Sequence, residues 1–190
     1  MRKSLLAQAS VFLRAAHFGP TLIVTTITFV LAFSQFSPID ALRVAIAIFA
    51  GQLVVGWSND LNDYPDDLKH NRTSKPLVSG EVSSKQLLRA VKICAPFVVI
   101  FNLFGPLGIK GGLIYLFGVG MGVAYNFYFK STLLSPLPYA LAFAALVSSI
   151  VISTDQSPPI WLISCGALLA VAAHFANVLK DLDQDLESKT

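Results

Sequence analysis

Charged residues are scarce in this chain of 190 residues. Asp, Glu, Lys and Arg make up 13% of the sequence, whereas a soluble domain carries about 25%. Hydrophobic residues make up 54%, so a soluble fold of this composition would have too little polar surface. The two cysteines, Cys94 and Cys165, both fall within apolar runs and are interpreted as packing residues. The composition therefore indicates an integral membrane protein.

Six apolar runs approach the roughly 20 residues that a helix needs to cross the hydrocarbon of a bilayer. Turn signals that contain proline or glycine separate several of the runs, where the missing N–H of proline is harmless; they are Ser37-Pro38, Gly105-Pro106-Leu107-Gly108, Ser135-Pro136 and Ser157-Pro158-Pro159. Pro96 is the exception, because it lies inside the third run and can kink it. The predicted fold is all-α, a polytopic transmembrane helix bundle of about six spans forming one domain over residues 1–190. The runs cover residues 18–36, 41–58, 86–104, 111–129, 136–153 and 159–179.

The basic residues predict how the bundle is oriented. If the loops alternate between the two sides, all of the 14 Lys and Arg residues except Arg43 and Lys110 lie on one side. Loops rich in Lys and Arg stay in the cytoplasm, so both termini are expected to be cytoplasmic. Residues 1–16 start with basic residues and continue with a modest apolar stretch, which predicts an amphipathic segment lying on the cytoplasmic face.

Most of the acidic residues lie in two segments, and the first follows the second apolar run. Asp60, Asp63 and Asp67 are spaced i, i+3 and i+7, which places them on one stripe of a helix. Pro65 disfavours helix at the residue before it. We therefore expect the helix to end near Tyr64, with Asp67 presented from the loop that follows.

The second acidic segment follows the sixth run, at the same predicted face of the membrane. Asn177, Asp181 and Asp185 are spaced i, i+4 and i+8, again one stripe. Stacked carboxylates repel each other unless a cation lies between them. Mg²⁺ prefers oxygen ligands and commonly binds one or two carboxylates together with substrate phosphates. Two facing stripes could thus hold Mg²⁺ ions and a diphosphate, with Arg72 and Lys75 as phosphate contacts.

Three other interpretations remain open at this point. A transporter or channel would use carboxylates as an ion pathway, but it would place them near the middle of the bilayer rather than at the ends of the spans. A non-catalytic membrane scaffold would not need two matched aspartate stripes. A CDP-alcohol phosphotransferase also uses membrane aspartates and Mg²⁺, but the Gly- and Arg-containing spacing of its motif is absent.

Several motifs together resemble those of the UbiA-type intramembrane prenyltransferase superfamily. The pattern N-D-x-x-D-x-x-x-D over residues 59–67 looks like its first aspartate motif, and the sequence KPLVSG at 75–80 looks like the stretch that follows it. The pattern K-D-x-x-x-D at 180–185 resembles the second aspartate motif, and residues 188–190 the short tail after it. Tyr125 and Lys130 resemble the Tyr and Lys at the end of the fourth helix.

The resemblance implies a Mg²⁺-dependent transferase that moves a prenyl group from an isoprenyl diphosphate to an acceptor, in particular an aromatic quinone precursor. It implies an enzyme of the bacterial inner membrane with its active site on the cytoplasmic side. The catalytic residues would be Asp60, Asp63, Asp67, Asp181 and Asp185, and these together with Asn59 would be the metal ligands. The diphosphate contacts would be Arg72, Lys75, Tyr125, Lys130 and Lys180. Further candidates are Arg14, His17, His174 and Asn177.

The chain departs from the resemblance in one respect. The family's bundle has about nine helices of about 20 residues each, and this sequence stops directly after the second aspartate motif. We therefore expect a bundle that is incomplete at its C-terminal side, with a pocket open there, and an inactive fragment is one alternative to the enzyme.

Overall fold

The computed structural model describes the backbone of residues 5–187 and the side chains of residues 5–179. Within those residues it consists of helices, turns and loops, with no strand, which confirms the predicted all-α class. A π-helical turn, Tyr125–Phe129, continues the fifth helix. The α-helices are α1 (Leu5–Ala15), α2 (Phe18–Phe33), α3 (Pro38–Lys69), α4 (Ser84–Phe104), α5 (Gly108–Ala124), α6 (Pro136–Ile152) and α7 (Ile160–Glu187).

Polar caps and prolines fix where two of these helices begin. The Ser37 side chain accepts a hydrogen bond from the backbone N–H of Asp40, and Pro38 occupies the first turn of α3. Ser83 and Gln86 form a reciprocal capping box at the start of α4. Between α4 and α5 the chain reverses at Gly108, whose φ of 62° lies in the left-handed region.

Each predicted apolar run corresponds to a helix of the structure. Among the described residues, α3, α4, α5 with its π-helical turn, and α7 are long and apolar enough to cross a membrane. A fifth candidate span is formed if α1 and α2 are counted as one bent segment, and α6 is a shorter apolar helix of 17 residues. The chain is therefore an integral membrane protein with a helical bundle.

The expectation that the helix ends near Pro65 is wrong. Helix α3 continues through Pro65 to Lys69. The last turn of α3 is stabilised by contacts that the sequence pattern does not predict. The backbone N–H of His70 donates to the Asp66 carbonyl, and the buried Asp67 carboxylate is bonded by cations from the next loop. These contacts compensate for the N–H that proline lacks.

Successive helices from α2 to α7 pack side by side, and α3 also contacts α5. The apolar core in the middle of the bundle includes Val44 and Ile48 of α3, Leu146 and Ile150 of α6, and Tyr115 of α5. Tight packing needs small residues: a Cβ on Gly111 of α5 would overlap the Ser149 carbonyl oxygen of α6 and the side chain of Ser153 just after it. This rigid core fixes the ends of the helices relative to each other.

Successive loops lie at alternate ends of the bundle. At one end, Lys110 binds Asp155 at 2.9 Å and Ser153 donates to the Leu107 carbonyl. At the other end, the α1–α2 break, the loop over 70–83 and the loop after the π-helical turn come together. The acidic stripe of α3 lies at this second end, which we call the site end.

Helix α1 is bent by 84° from α2, so it does not continue the direction of the first span. His17 makes the bend with a left-handed backbone, φ 54°. The α1 helix is fastened to α3 where the Trp57 indole Nε1 donates to the Phe12 carbonyl at 2.9 Å and the two rings meet edge to face. This docking brings the bend directly beside the acidic stripe.

Candidate active site

The three aspartates of the first stripe differ in how deeply they are buried. The side chains of Asp60 and Asp67 are 3% and 2% exposed, and that of Asp63 is 15% exposed. Because they recur on one face of α3, they point into the same region at the site end. Three buried or half-buried carboxylates carry a large cost unless cations lie beside them, and the structure supplies those cations from other segments.

Lys75 reaches all three carboxylates from the loop after α3. Its Nζ lies 2.6 Å from Asp67 Oδ2, 3.5 Å from Asp60 Oδ1 and 3.8 Å from Asp63 Oδ2. Burial by itself lowers the pKa of Lys75, but the hydrogen bond to Asp67 and the charges of the three aspartates outweigh it, so the pKa is raised above its ordinary value. Lys75 is therefore a charged part of this cluster at neutral pH.

Lys130 and Arg72 complete the charge balance. Lys130 Nζ lies 2.5 Å from Asp63 Oδ2, and Arg72 Nη1 lies 3.4 Å from Asp67 Oδ1. The sequence predicted that these basic residues would meet phosphate groups, and in the structure their partners are the aspartates. The three carboxylates face three basic side chains, which removes the repulsion expected from the sequence alone.

The π-helical turn positions Lys130. Asn126 inside this turn is buried, and its Nδ2 donates to the Val55 carbonyl at 3.0 Å and to Ser58 Oγ at 2.9 Å. Its own carbonyl accepts from Asn62 Nδ2 at 2.7 Å. π-helical turns occur often at functional sites. Asn126 and Asn62 had no role in the sequence interpretation, although a buried amide in an apolar span signals a fixed hydrogen-bonding partner.

His17 lies at the site, whereas Arg14 forms an ion pair with a residue other than the aspartates. His17 Nε2 lies 3.2 Å from Asp60 Oδ1 and 3.3 Å from Asn59 Nδ2. Asn59 Nδ2 in turn donates to Asp63 at 3.0 Å. Arg14 Nη2 instead pairs with Glu81 in the loop before α4, at 2.5 Å.

Tyr125 and His174 are buried and belong to one group of aromatic rings. The Tyr125 ring meets the Tyr139 ring edge to face at a centroid distance of 4.8 Å and the His174 ring at 5.7 Å. His174 Nε2 lies 3.1 Å from Ser135 Oγ, just before α6. These contacts join α7 to the π-helical turn at the site end.

Helix α7 carries the second aspartate motif in its last turns. Asn177 is exposed on α7. The side chains of Lys180, Asp181 and Asp185 lie outside the described residues, as do residues 188–190. The helix itself runs through these positions to Glu187, beyond the His174 contact with the site end.

Two adjoining clefts open beside the carboxylates. The larger has a volume of about 410 Å³ and the smaller about 220 Å³, and Asp63, Arg72 and Lys130 line both. The larger is also lined by the exposed aromatic side chains of Phe127 and Tyr128. The site thus combines carboxylates, cations and a partly apolar wall, an arrangement suited to a ligand with an anionic head and an apolar body.

The donor chemistry of the first stripe fits Mg²⁺, which takes carboxylate and amide oxygens. Asp60 Oδ1 is buried and makes no hydrogen bond within the described residues; its neighbours are His17 Nε2 at 3.2 Å and Lys75 Nζ at 3.5 Å. In the described part of the chain, however, no group of three or more His, Cys, Asp or Glu side chains is arranged to hold a metal ion. The Lys75 ammonium lies among the oxygens instead.

The fold and the site define a helical membrane protein with a mixed carboxylate and cation centre at one end of its bundle. The chain belongs to the UbiA prenyltransferase family, whose model matches residues 21–189. This confirms the resemblance inferred from the aspartate motifs, and it supports a membrane prenyltransferase in general. No curated protein and no solved structure matched the chain.

Proposed function

We propose that this protein transfers a prenyl group from an isoprenyl diphosphate to an aromatic quinone precursor at the cytoplasmic face of a bacterial inner membrane. The observation that carries the proposal is the meeting of Asp60, Asp63 and Asp67 with Lys75, Lys130 and Arg72 at one end of an apolar bundle. Family membership supports the reaction class. The enrichment of Lys and Arg in the loops at this end supports a cytoplasmic site.

The reaction requires the bond between C1 of the prenyl group and the diphosphate oxygen to break, with the electron pair leaving on oxygen. The acceptor gives an electron pair to C1, and an aromatic carbon then loses its proton. Bound Mg²⁺ would supply positive charge for the departing diphosphate. Asn59, Asp60, Asp63 and Asp67 are proposed to hold one ion, and Asp181 and Asp185 a second.

The basic residues have the complementary role. Arg72 and Lys130 line both clefts and are half-exposed, so they can bind oxygens of the diphosphate where negative charge develops. Lys75 and Lys180 are proposed as further contacts. Tyr125, which is buried and contacts the His174 ring, is proposed to orient the diphosphate. His17 orients Asp60 and Asn59, whereas Arg14 and Asn177 are left as candidates for acceptor contacts.

The test replaces one carboxylate and measures binding. Asp63→Asn keeps the shape of the side chain and should change stability by less than about 1 kcal/mol, because Lys130, its partner, is 39% exposed and can turn to solvent. It should nonetheless abolish the rise in melting temperature that Mg²⁺ and a non-hydrolysable prenyl diphosphate produce together in the wild type.

Asp40→Asn is the matched control, since Asp40 lies at the opposite end of the same helix and pairs with Arg43. This variant should keep the joint shift. A wild-type protein without any joint shift would contradict the proposed function. A transporter would instead show a cation effect that does not depend on diphosphate, and a scaffold would show no diphosphate effect. Product formation with labelled prenyl diphosphates and a panel of aromatic acceptors then tests the acceptor class.

A further inference from the structure

The Lys75 ammonium lies where the oxygens of three aspartates converge. It is within 3.8 Å of one carboxylate oxygen from each of Asp60, Asp63 and Asp67. Its side chain is 21% exposed, so the position is largely closed to bulk water. A hard cation that used these three residues as ligands would compete with the ammonium group for the same oxygens, since Mg²⁺ and an ammonium group both seek carboxylate oxygens.

The loop that carries Lys75 is well fixed. The Arg72 N–H donates to the Asp67 carbonyl at 3.0 Å, and the Ser79 N–H donates to the Lys75 carbonyl at 3.0 Å. Leu77 in the same loop is buried in the core beside α1. The loop backbone thus holds Lys75 at the acidic stripe, and only its long side chain needs to move when another cation arrives.

The smaller cleft provides a place for the Lys75 ammonium to move to. Its lining includes Lys75 itself together with Arg72, Lys130 and Ser74. Three basic side chains and a hydroxyl around about 220 Å³ suit a phosphate group. With a diphosphate in this cleft, the ammonium would exchange carboxylate oxygens for phosphate oxygens without losing its charge partner.

Because the charges at the site are already balanced, replacement of the Lys75 ammonium by a metal ion depends on the arrival of a diphosphate. Lys75, Lys130 and Arg72 already neutralise the three aspartates, so a divalent cation alone would enter a site whose charge is balanced and would lie a few ångströms from an ammonium group. A diphosphate brings negative charge that restores the balance. Asp60 Oδ1 is buried and makes no hydrogen bond within the described residues, although His17 Nε2 lies 3.2 Å and the Lys75 ammonium 3.5 Å from it.

We propose that Lys75 takes the place of a cation at the first aspartate motif until substrate binds, and that it makes metal binding depend on simultaneous binding of a diphosphate. Lys75 is thereby a positioning residue that sets the order of loading, in addition to any contact with phosphate. The inference rests on the proposed function, because it assumes that this motif takes a metal ion and a diphosphate. It predicts that the metal and the diphosphate each bind weakly alone and tightly together.

The experiment measures binding of Mn²⁺, used as a paramagnetic probe, to the full chain in detergent by electron paramagnetic resonance. Wild type, Lys75→Gln and the control Lys69→Gln are titrated with and without a non-hydrolysable prenyl diphosphate. Lys69 is an exposed lysine at the end of α3, six residues before Lys75, so its variant matches the loss of one charge. In wild type and Lys69→Gln, the analogue should tighten Mn²⁺ binding by about 5- to 150-fold, the usual range for coupled sites.

Without the analogue, Lys75→Gln should bind Mn²⁺ more tightly than wild type does, by about tenfold or more. Adding the analogue should change the Mn²⁺ affinity of this variant little. Equal Mn²⁺ affinity in wild type and Lys75→Gln would overturn the inference, while a retained joint Mg²⁺–diphosphate melting shift would leave the proposed function standing. Absence of Mn²⁺ binding in all proteins, with the analogue present, would overturn both. If Lys75→Gln does not fold, wild type alone decides: an Mn²⁺ affinity that is the same with and without the analogue overturns the inference.

Discussion

Gly56 lies where the bend between α1 and α2 touches α3, and replacing it with alanine tests how this contact builds the site. A Cβ at Gly56 would lie 2.6 Å from the Ala16 carbonyl oxygen and 2.8 Å from the carbonyl carbon and Cα of Ala16. All three are main-chain atoms, so no side-chain rotation can relieve the overlap. The Ala16 carbonyl is also held by the Thr21 hydroxyl at 2.8 Å, which resists a local shift.

The change in the free energy of unfolding caused by Gly56→Ala is the sum of two opposing contributions. Alanine in place of glycine in a helix stabilises by about 1 kcal/mol, and overpacking of a well-packed contact costs about 1–3 kcal/mol. Gly120→Ala is the matched control, because a Cβ at Gly120 in α5 meets no atom within 4 Å. Both variants gain the stabilisation that alanine gives a helix. The difference between their free energies of unfolding therefore measures the cost of the overlap with Ala16. Gly56→Ala should therefore be less stable than Gly120→Ala by about 1–3 kcal/mol.

The assay is thermal unfolding of wild type and both variants in the same detergent, followed by near-UV circular dichroism. For a chain of this size, 1 kcal/mol corresponds to about 2–4 °C in Tm. Displacing Ala16 also moves His17 away from Asp60, one turn after Gly56 on α3. Gly56→Ala should therefore reduce the joint Mg²⁺–diphosphate shift, whereas Gly120→Ala should retain it. Equal melting temperatures for the two variants would refute the close packing of Gly56 against Ala16.

Two further predictions concern the π-helical turn and the orientation of the bundle. Asn126→Ala removes hydrogen bonds to the Val55 carbonyl and Ser58 Oγ; at about 0.5–1.5 kcal/mol each it should lower the free energy of unfolding by about 1–3 kcal/mol. An unchanged denaturation midpoint would show that these bonds do not fasten the turn to α3. For the orientation, a cysteine in place of His70 should be labelled by membrane-impermeant thiol reagents only from the cytoplasmic side, and one in place of Lys110 only from the opposite side. The reverse labelling would contradict the predicted topology.

Local patterns in the sequence were sufficient for the helices and for the acidic stripe. The apolar runs predicted every helix from α2 to α7, because the length and composition of a run are properties of contiguous residues. The spacing of Asp60, Asp63 and Asp67 predicted that they share a face, since the period of the α-helix is fixed by its backbone. The family followed from the same local motifs.

Only the tertiary structure decided which side chains neutralise the stripe. Lys75 and Lys130 lie in different segments, and nothing near them in the sequence shows that both ammonium groups reach α3. Likewise His17 contacts Asp60 while Arg14, one helical turn earlier, pairs with Glu81. Such pairings depend on the angles at which helices and loops pack, and these angles are set by the shapes of many distant side chains together. Helical periodicity fixes the face on which a residue lies, whereas the packing of the whole bundle determines what that face meets.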